Sequence, residues 1–420
     1  MKLSIRAHEI PPSPIRKLVS FAEDAKAQGV TVHHLNIGQP DIPTPAEFFH
    51  AVNAFTGNDF VTNGKNSSAC AVTKKNIVLG YGDSAGEPTL RKALSKYYQK
   101  FGYDVDFKDI TITTGGSEAI MFTMTALCDP DDEILCFEPL YTNYNSFAAA
   151  ESVRLVPLAC HAENGFHLPT RETIEAKITQ RTRAILVCTP NNPTGAVLTE
   201  SEMRVLVDIA KQYNIFLVVD ESYREFIYGE LPHTSIMSFP EISDRVIMLD
   251  SLSKRYSVCG ARLGCLVTKN KEVSKVSLHL GQARLCPPSL DQAGALGLLT
   301  LGDEYFAQIQ SEYKQRRDTV VKGIKNIPGV TSYTPEGAFY LMVGLPIEDA
   351  EHFAKWLLTD FRYENETIMV APGGGFYVTP GAGKNEIRIA YVLEVKVLER
   401  AMHCFEKAIN KYVSIFGNSK

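Results

Sequence analysis

Within twelve residues, Ser251, Ser253, Lys254 and Arg262 place two hydroxyls, an amine and a guanidinium on one short segment that runs on to Gly264. Hydroxyls and a guanidinium together suit a phosphate. A lysine whose ammonium is partly desolvated has a lowered pKa and becomes a nucleophile able to form a Schiff base. A second run, Phe216-Leu217-Val218-Val219-Asp220-Glu221-Ser222-Tyr223, is an apolar stretch that ends in a carboxylate. Such a charge needs a cationic or hydrogen-bonding partner, and a protonated pyridine nitrogen is one. In a third run, Thr189-Pro190-Asn191-Asn192-Pro193-Thr194-Gly195, two prolines and a glycine fix a tight loop from which the Asn192 amide can donate and accept. The fourth, Thr113-Thr114-Gly115-Gly116-Ser117-Glu118-Ala119, brings glycines and a hydroxyl to a predicted helix start. There, unpaired N–H groups and the helix dipole both favour an anion. Taken singly, each run is equally what a solvated loop, a turn or a helix cap uses.

From about residue 110 to 268, short apolar runs alternate with helical patterns, the signature of a mostly parallel sheet covered by helices. The pattern predicts seven strands: Ile110-Thr113, Ile134-Phe137, Arg154-Leu158, Ala184-Cys188, Phe216-Val219, Val246-Leu249 and Gly264-Val267. Each of the four runs falls at the predicted carboxyl end of one of these strands, and ligands of open α/β sheets bind beyond the carboxyl ends of strands. Jointly they supply a phosphate cradle, an amine, a carboxylate and hydroxyl or amide donors. That is the set pyridoxal phosphate requires.

Elsewhere, Thr199-Glu200-Ser201-Glu202 reads as a capping box, with Met203, Leu206, Val207, Ala210 and Tyr213 on one face of the helix that follows. After Pro287-Pro288 the pattern is helical, with Ser289 and Asp303 as caps of two helices, the second running to about Asn326. A separate carboxy-terminal α+β layer is predicted from a strand over Gly337 to Met342, a helix from about Ile347 to Phe361, and a strand over Glu386 to Ala390. The segment Gly57 to Asn76 is polar and aperiodic, which predicts an exposed loop.

The 420 residues, at about 150 per domain, suggest two to three domains. With 45% hydrophobic and 22% charged residues the chain is globular. Forty-three basic against 48 acidic residues leave a net charge of −5, with no electrostatic footprint for nucleic acid or an anionic membrane. Apolar runs fall far short of the ~20 residues of a membrane span, and Lys2 and Arg6 interrupt any signal-like stretch at the amino terminus. The nine cysteines are odd in number and contain no C-x-x-C pair, so neither a disulfide framework nor a metal site is expected, and the compartment expected is the cytoplasm.

In order and spacing, N-P-T-G at Asn192, D-x-x-Y at Asp220 and S-x-S-K-x7-R-x-G at Ser251 resemble a fold-type I aminotransferase of class I/II. The resemblance extends from Asn36-Ile37-Gly38-Gln39-Pro40-Asp41 through Tyr81-Gly82-Asp83 to Arg388. It implies an α/β fold with a mostly parallel seven-stranded sheet, helices on both faces, and a smaller α+β domain. The motif order implies that this smaller domain comprises 1–48 and 311–420, around a cofactor-binding domain at 49–310.

By that resemblance Lys254 forms a Schiff base with pyridoxal 5′-phosphate and moves the substrate's Cα proton. Asp220 holds the pyridine nitrogen protonated, Tyr223 and Asn192 hydrogen-bond the phenolic oxygen, and Tyr141 stacks on the ring. The phosphate falls to Gly116, Ser117, Ser251, Ser253 and Arg262, with Tyr81 reaching across from the second subunit of a homodimer. Arg388 grips the substrate α-carboxylate, with Asn192 and Gly38 beside it. The runs around Lys254 and Gly281-Gln282-Ala283-Arg284 look most like a bacterial and archaeal branch labelled aspartate aminotransferase. The implied reaction is a ping-pong exchange between an L-amino acid, aspartate in the first place, and 2-oxoglutarate. Arg284 is the expected second cation for a dicarboxylate, although it could instead form an interface salt bridge. Another amino acid, or lyase or decarboxylase chemistry on the same fold, is the alternative.

Overall fold

The computed structural model describes residues 2–57, 78–229 and 232–417. Of the loop expected over 57–76, all but Gly57 lies outside them. The chain forms two compact units, one of Met1–Asp41, Cys128–Thr234 and Ala307–Lys420, the other of Ile42–Leu127 and Ser235–Phe306.

All seven predicted strands of the main sheet are present. They are β1 Ile110–Thr114, β2 Glu133–Glu138, β3 Arg154–Ala159, β4 Thr182–Cys188, β5 Phe216–Asp220, β6 Val246–Ser251 and β7 Leu263–Val267. In the first unit β3, β2, β4 and β5 lie side by side, all parallel. In the second, β7 runs antiparallel to both β1 and β6. The parallel strands read as continuous apolar runs because both of their faces are covered: Ile185, Leu217, Val218 and Val219 are each 2% exposed or less. In register, Cys188 of β4 faces Asp220 of β5, and Thr189 N–H donates to the Asp220 carbonyl at 3.0 Å. The Asn192 loop and the Asp220 carboxylate therefore leave the sheet at one level.

The first unit also holds the carboxy-terminal layer, in which β8 Tyr340–Gly344 pairs antiparallel with β9 Glu386–Ala390, Met342 opposite Arg388 and Tyr340 opposite Ala390. The strand predicted from Gly337 starts at Tyr340 instead. Ala338 takes a left-handed φ of 53°, and Gly337 crosses so close to the Phe226 carbonyl that a Cβ there would meet it at 2.6 Å. The neighbouring helix spans Ala350–Thr359, capped by Asp349, whose side chain accepts from the Glu351 and His352 N–H groups. Ser289 proves to be the first helical residue, with Pro288 in the cap position, and Asp303 likewise begins its helix, which ends at Lys325. A strand pair, Thr31–His34 parallel to Glu366–Met369, and the helix Val395–Phe416 complete this layer.

The capping box forms as predicted: the Thr199 side chain accepts from Glu202 N–H, and Glu202 returns a bond to Thr199 N–H. Glu202 also accepts from Leu168 N–H and faces His167, whose other ring nitrogen lies 3.5 Å from Glu336. The hydrogen bond to Glu202, then that to Glu336, raises His167 from its ordinary 6.5 to about 10. A pKa raised on folding stabilises fully below the unfolded value and is lost as pH climbs through the folded one. The denaturant midpoint is therefore expected to fall between pH 6.5 and about 10. In a His167→Gln variant, chemical denaturation across that range should show a flatter profile.

Candidate active site

The predicted site residues fall into two groups, one in each unit. In the first unit, Asp220 ends β5 almost fully buried. Its Oδ1 accepts from the Ser222 N–H at 3.0 Å and the Ser222 hydroxyl at 2.6 Å, and its Oδ2 accepts from the Tyr144 hydroxyl at 2.8 Å. Three donors hold it as an anion in a dry setting, where it suits a protonated ring nitrogen. Tyr144 was not foreseen, although it follows Tyr141 by one helical turn and their rings meet edge-on at 5.4 Å. Burial, reinforced by the Asp220 charge, pushes the Tyr144 phenol up, so it remains a donor. Tyr141 itself is half-buried and accepts from the Asn143 amide at 2.8 Å.

Arg388 is the second anchor of this group. At 1% exposure it is among the largest wholly buried side chains of the chain. Its Nη1 donates to Asn192 Oδ1 at 2.9 Å and its Nη2 to the Asn36 carbonyl at 2.6 Å. Its guanidinium lies 4.4 Å from the Tyr340 ring centroid and 4.9 Å from that of Phe376. Nε has no hydrogen-bond partner, and no carboxylate among the described residues pairs with the charge. A buried cation with an open donor is the natural seat for a carboxylate ligand. Asn192, through Nδ2, reaches the Tyr223 hydroxyl at 3.5 Å, and Tyr223 meets the Tyr340 hydroxyl at 2.9 Å.

Tyr340 was also missed, because an aromatic in an apolar strand reads as core. Gly38 backs this cluster: a Cβ there would lie 1.8 Å from the Tyr340 hydroxyl oxygen. The segment beyond is tied down by Asp41, which pairs with the buried Arg316 at 2.6 Å.

In the second unit, Lys254 sits on the short helix Leu252–Arg255 directly after β6, its Nζ 3.5 Å from Cys259 Sγ. The neighbouring Arg255, fully buried, pairs with Asp250, whose carboxylate also accepts from Ser251 N–H and from the Tyr98 hydroxyl at 2.7 Å. This buried pair fixes the turn that presents Lys254. The Ser251 side chain caps the helix by accepting from Ser253 N–H at 3.2 Å.

Gly115, Gly116 and Ser117 open the helix Gly115–Leu127, so the N–H groups of its first turn have no partner within the helix. Gly115 has a φ of 72°, and a Cβ on it would come within 2.5 Å of Arg262 Nη2. Gly264 in turn lies against Gly115 and Gly116, where a Cβ would meet their backbone at 2.6 Å. Arg262, itself at a φ of 52°, thus lies directly against the glycine turn. A cradle of backbone donors with one adjoining guanidinium has the chemistry a phosphate needs.

Arg284 lies in the second unit beside Glu118. Nη1 is 2.6 Å from Glu118 Oε2, and Nη2 donates to the Ser84 carbonyl at 2.9 Å. Glu118 pairs with its charge, while its Nε, like that of Arg388, has no hydrogen-bond partner. Tyr81 is 81% exposed, as are, to lesser or similar degrees, Val78, Leu79, Met121 and Leu285 of the same unit.

The family model for aminotransferase class I and II matches residues 32–405. The aspartate aminotransferase of Pyrococcus horikoshii is 31% identical over 95% of this chain and 95% of its own, and that of Musicola paradisiaca 30% identical over 97% and 96%. Among solved structures, the alanine aminotransferase of Pyrococcus furiosus superposes with a TM-score of 0.84 at 29% identity, covering 98% of this chain and 100% of its own.

A methyl group at Gly38 has no room while Tyr340 is in place. Gly38→Ala is expected to push the 36–38 segment off Arg388 and weaken binding of a dicarboxylate by about tenfold, or ~1.4 kcal/mol. Calorimetric titration checks this, and wild-type affinity would show that Gly38 does not shape the pocket.

Proposed function

The chain belongs to aminotransferase class I and II, and from that premise we propose that it exchanges an amino group between L-aspartate and 2-oxoglutarate, with pyridoxal 5′-phosphate as cofactor. The observation that carries this reading is Arg388, a buried guanidinium with an unpaired Nε that suits a substrate α-carboxylate. The buried Asp220 anion and the glycine cradle beside Arg262 suit the two charged ends of the cofactor, the pyridine nitrogen and the phosphate.

When bound, the cofactor supplies an electron sink for the negative charge that develops at the substrate Cα. Gly116, Ser117, Ser251, Ser253 and Arg262 hold its phosphate, and Tyr141 lies against its ring. Asp220 keeps the ring nitrogen protonated, and Tyr223 with Asn192 donates to the phenolic oxygen. Lys254 takes the proton from the substrate Cα and returns it in the opposite half of the exchange, general base and then acid. Arg388 grips the α-carboxylate in a fork that a lysine cannot reproduce, with Asn192 and Gly38 beside it.

Aspartate is favoured because relatives of about 30% identity bear that name. Arg284, being paired with Glu118, is assigned instead to shaping the surface that carries Leu285 and Met121. That exposed apolar surface supports a homodimer, in which Tyr81 of each copy serves the partner's phosphate. The small domain proposed for this assembly is 1–48 with 311–420, and the cofactor domain 49–310. Eight cysteines free among the described residues support a cytoplasmic enzyme. No helix among the described residues is long and apolar enough to cross a membrane.

Lys254→Ala is expected to lose the visible absorbance of the purified protein and at least about 10³-fold in turnover, the scale of a lost nucleophile and general base. Normal transamination by that variant would defeat the proposal. In a half-reaction screen of the wild type, aspartate should convert the bound aldehyde to the amine form. If alanine or an aromatic amino acid does so and aspartate does not, the substrate is reassigned. Ammonia or carbon dioxide released without an oxo-acid acceptor would mean lyase or decarboxylase chemistry.

A further inference from the structure

Tyr223 has a crowded oxygen. A phenol carries one proton and two lone pairs, so it can donate once and accept twice. Asn192 approaches it with Nδ2, because Arg388 Nη1 occupies the amide oxygen at 2.9 Å and fixes which end of the amide faces Tyr223. Asn192 is therefore a donor there. The Tyr340 hydroxyl lies 2.9 Å from the same oxygen, a distance at which either hydroxyl can be the donor.

Tyr340 is itself held on three sides. It sits in β8 with its ring against the Arg388 guanidinium, 4.4 Å from carbon to centroid, and its hydroxyl against the Gly38 backbone. Its ring meets that of Tyr223 edge-on, with centroids 5.5 Å apart at 81°. It is 2% exposed and has no room to swing its hydroxyl away.

We propose that Tyr340 is a positioning residue that donates to Tyr223 and thereby commits the Tyr223 proton to an acceptor outside this cluster, the phenolic oxygen of the cofactor. This rests on the cofactor reading above and adds a residue to it. With Asn192 and Tyr340 both donating, the two lone pairs of Tyr223 are filled, and its own O–H has one direction left. A hydroxyl that accepts two hydrogen bonds is also polarised into a stronger donor. Tyr340 thus favours the anionic form of the cofactor oxygen without touching it. The same ring forms one wall of the Arg388 pocket, so one side chain serves both substrate and cofactor.

The test is a pH titration of the visible absorbance of the holoenzyme for wild type, Tyr340→Phe, Tyr223→Phe and the double variant, with maleate affinity measured alongside. Phenylalanine keeps the wall against Arg388 and removes only the donor. The expected result for Tyr340→Phe is an absorbance midpoint raised by about 0.3 to 1 pH unit, the scale of one modest hydrogen bond. Maleate affinity separates any disturbance of the ring wall beside Arg388 from the loss of the donor. In the double variant the midpoint should match that of Tyr223→Phe alone, since a residue acting through Tyr223 has no effect once its hydroxyl is gone.

Replacing Tyr340 by p-aminophenylalanine, which keeps a donor at the same place, should restore the wild-type midpoint, and it tests the proposal even if the phenylalanine variant folds poorly. A Tyr340→Phe midpoint equal to wild type, or additive shifts in the double variant, would overturn it. A wild-type protein that binds no pyridoxal phosphate and shows no visible band would instead overturn the cofactor reading, so the two failures are distinct.

Discussion

Arg388 is withdrawn from water on every side, and a guanidinium in that position is costly unless its protons are matched and its charge is balanced. The first unit is organised around meeting that demand in part. Asn192 and Asn36 satisfy two of its nitrogens, and the rings of Tyr340 and Phe376 lie against its guanidinium. Among the described residues, counter-charge is left out. A stable core would supply a carboxylate or substitute an apolar residue, whereas a site whose ligand brings the carboxylate keeps the cation waiting. Burial lowers the pKa of Arg388, but a guanidinium remains protonated in proteins, so the deficit stays one of charge partner and not of proton.

The partners of that arginine come from four separated parts of the sequence: the 36–38 segment, the Asn192 loop, β8 and the turn Gly373–Phe376. Each is fixed by its own local device. Asp41 is anchored to Arg316, itself held by Glu312 on the same helix. Asn191 folds the Asn192 loop by accepting from Thr194 and Gly195. Antiparallel pairing sets Tyr340 and Arg388 on one face of β8 and β9, since residues two apart along a strand point the same way. In the second unit the same logic recurs with a matched charge: Asp250 and Arg255 form a buried pair with Tyr98, and Lys254 is displayed from the turn they hold.

Some features were plain in the sequence because they depend on neighbours along the chain. The seven strands, the capping box at Thr199 and the glycine run at Gly115 are local patterns, and they appear where periodicity and capping chemistry place them. The helix Val395–Phe416, not picked out in advance, buries Leu398, Ala401, Met402, Phe405, Ala408, Ile409 and Tyr412 along one face. Tyr144 and Tyr340 were not legible in the sequence. Nothing in the types or spacing of those tyrosines distinguishes a core ring from one whose hydroxyl serves Asp220 or Tyr223. The neighbour of Arg284 was equally hidden: its counter-ion, Glu118, lies 166 positions away along the chain.

The family, the order of strands and helices, and the candidate residues Lys254, Asp220, Asn192, Arg262 and Arg388 can be read along the chain, because each belongs to a short run whose spacing carries the signal. The tertiary structure alone decided which polar groups have partners. Burial and hydrogen bonding are properties of residues hundreds of positions apart: Arg388 is left with an open Nε and no carboxylate beside it among the described residues, Arg284 has Glu118, and the Tyr223 oxygen is approached from two sides. Whether a charge is available to a ligand depends on what the fold has already placed beside it, and that cannot be read along the chain.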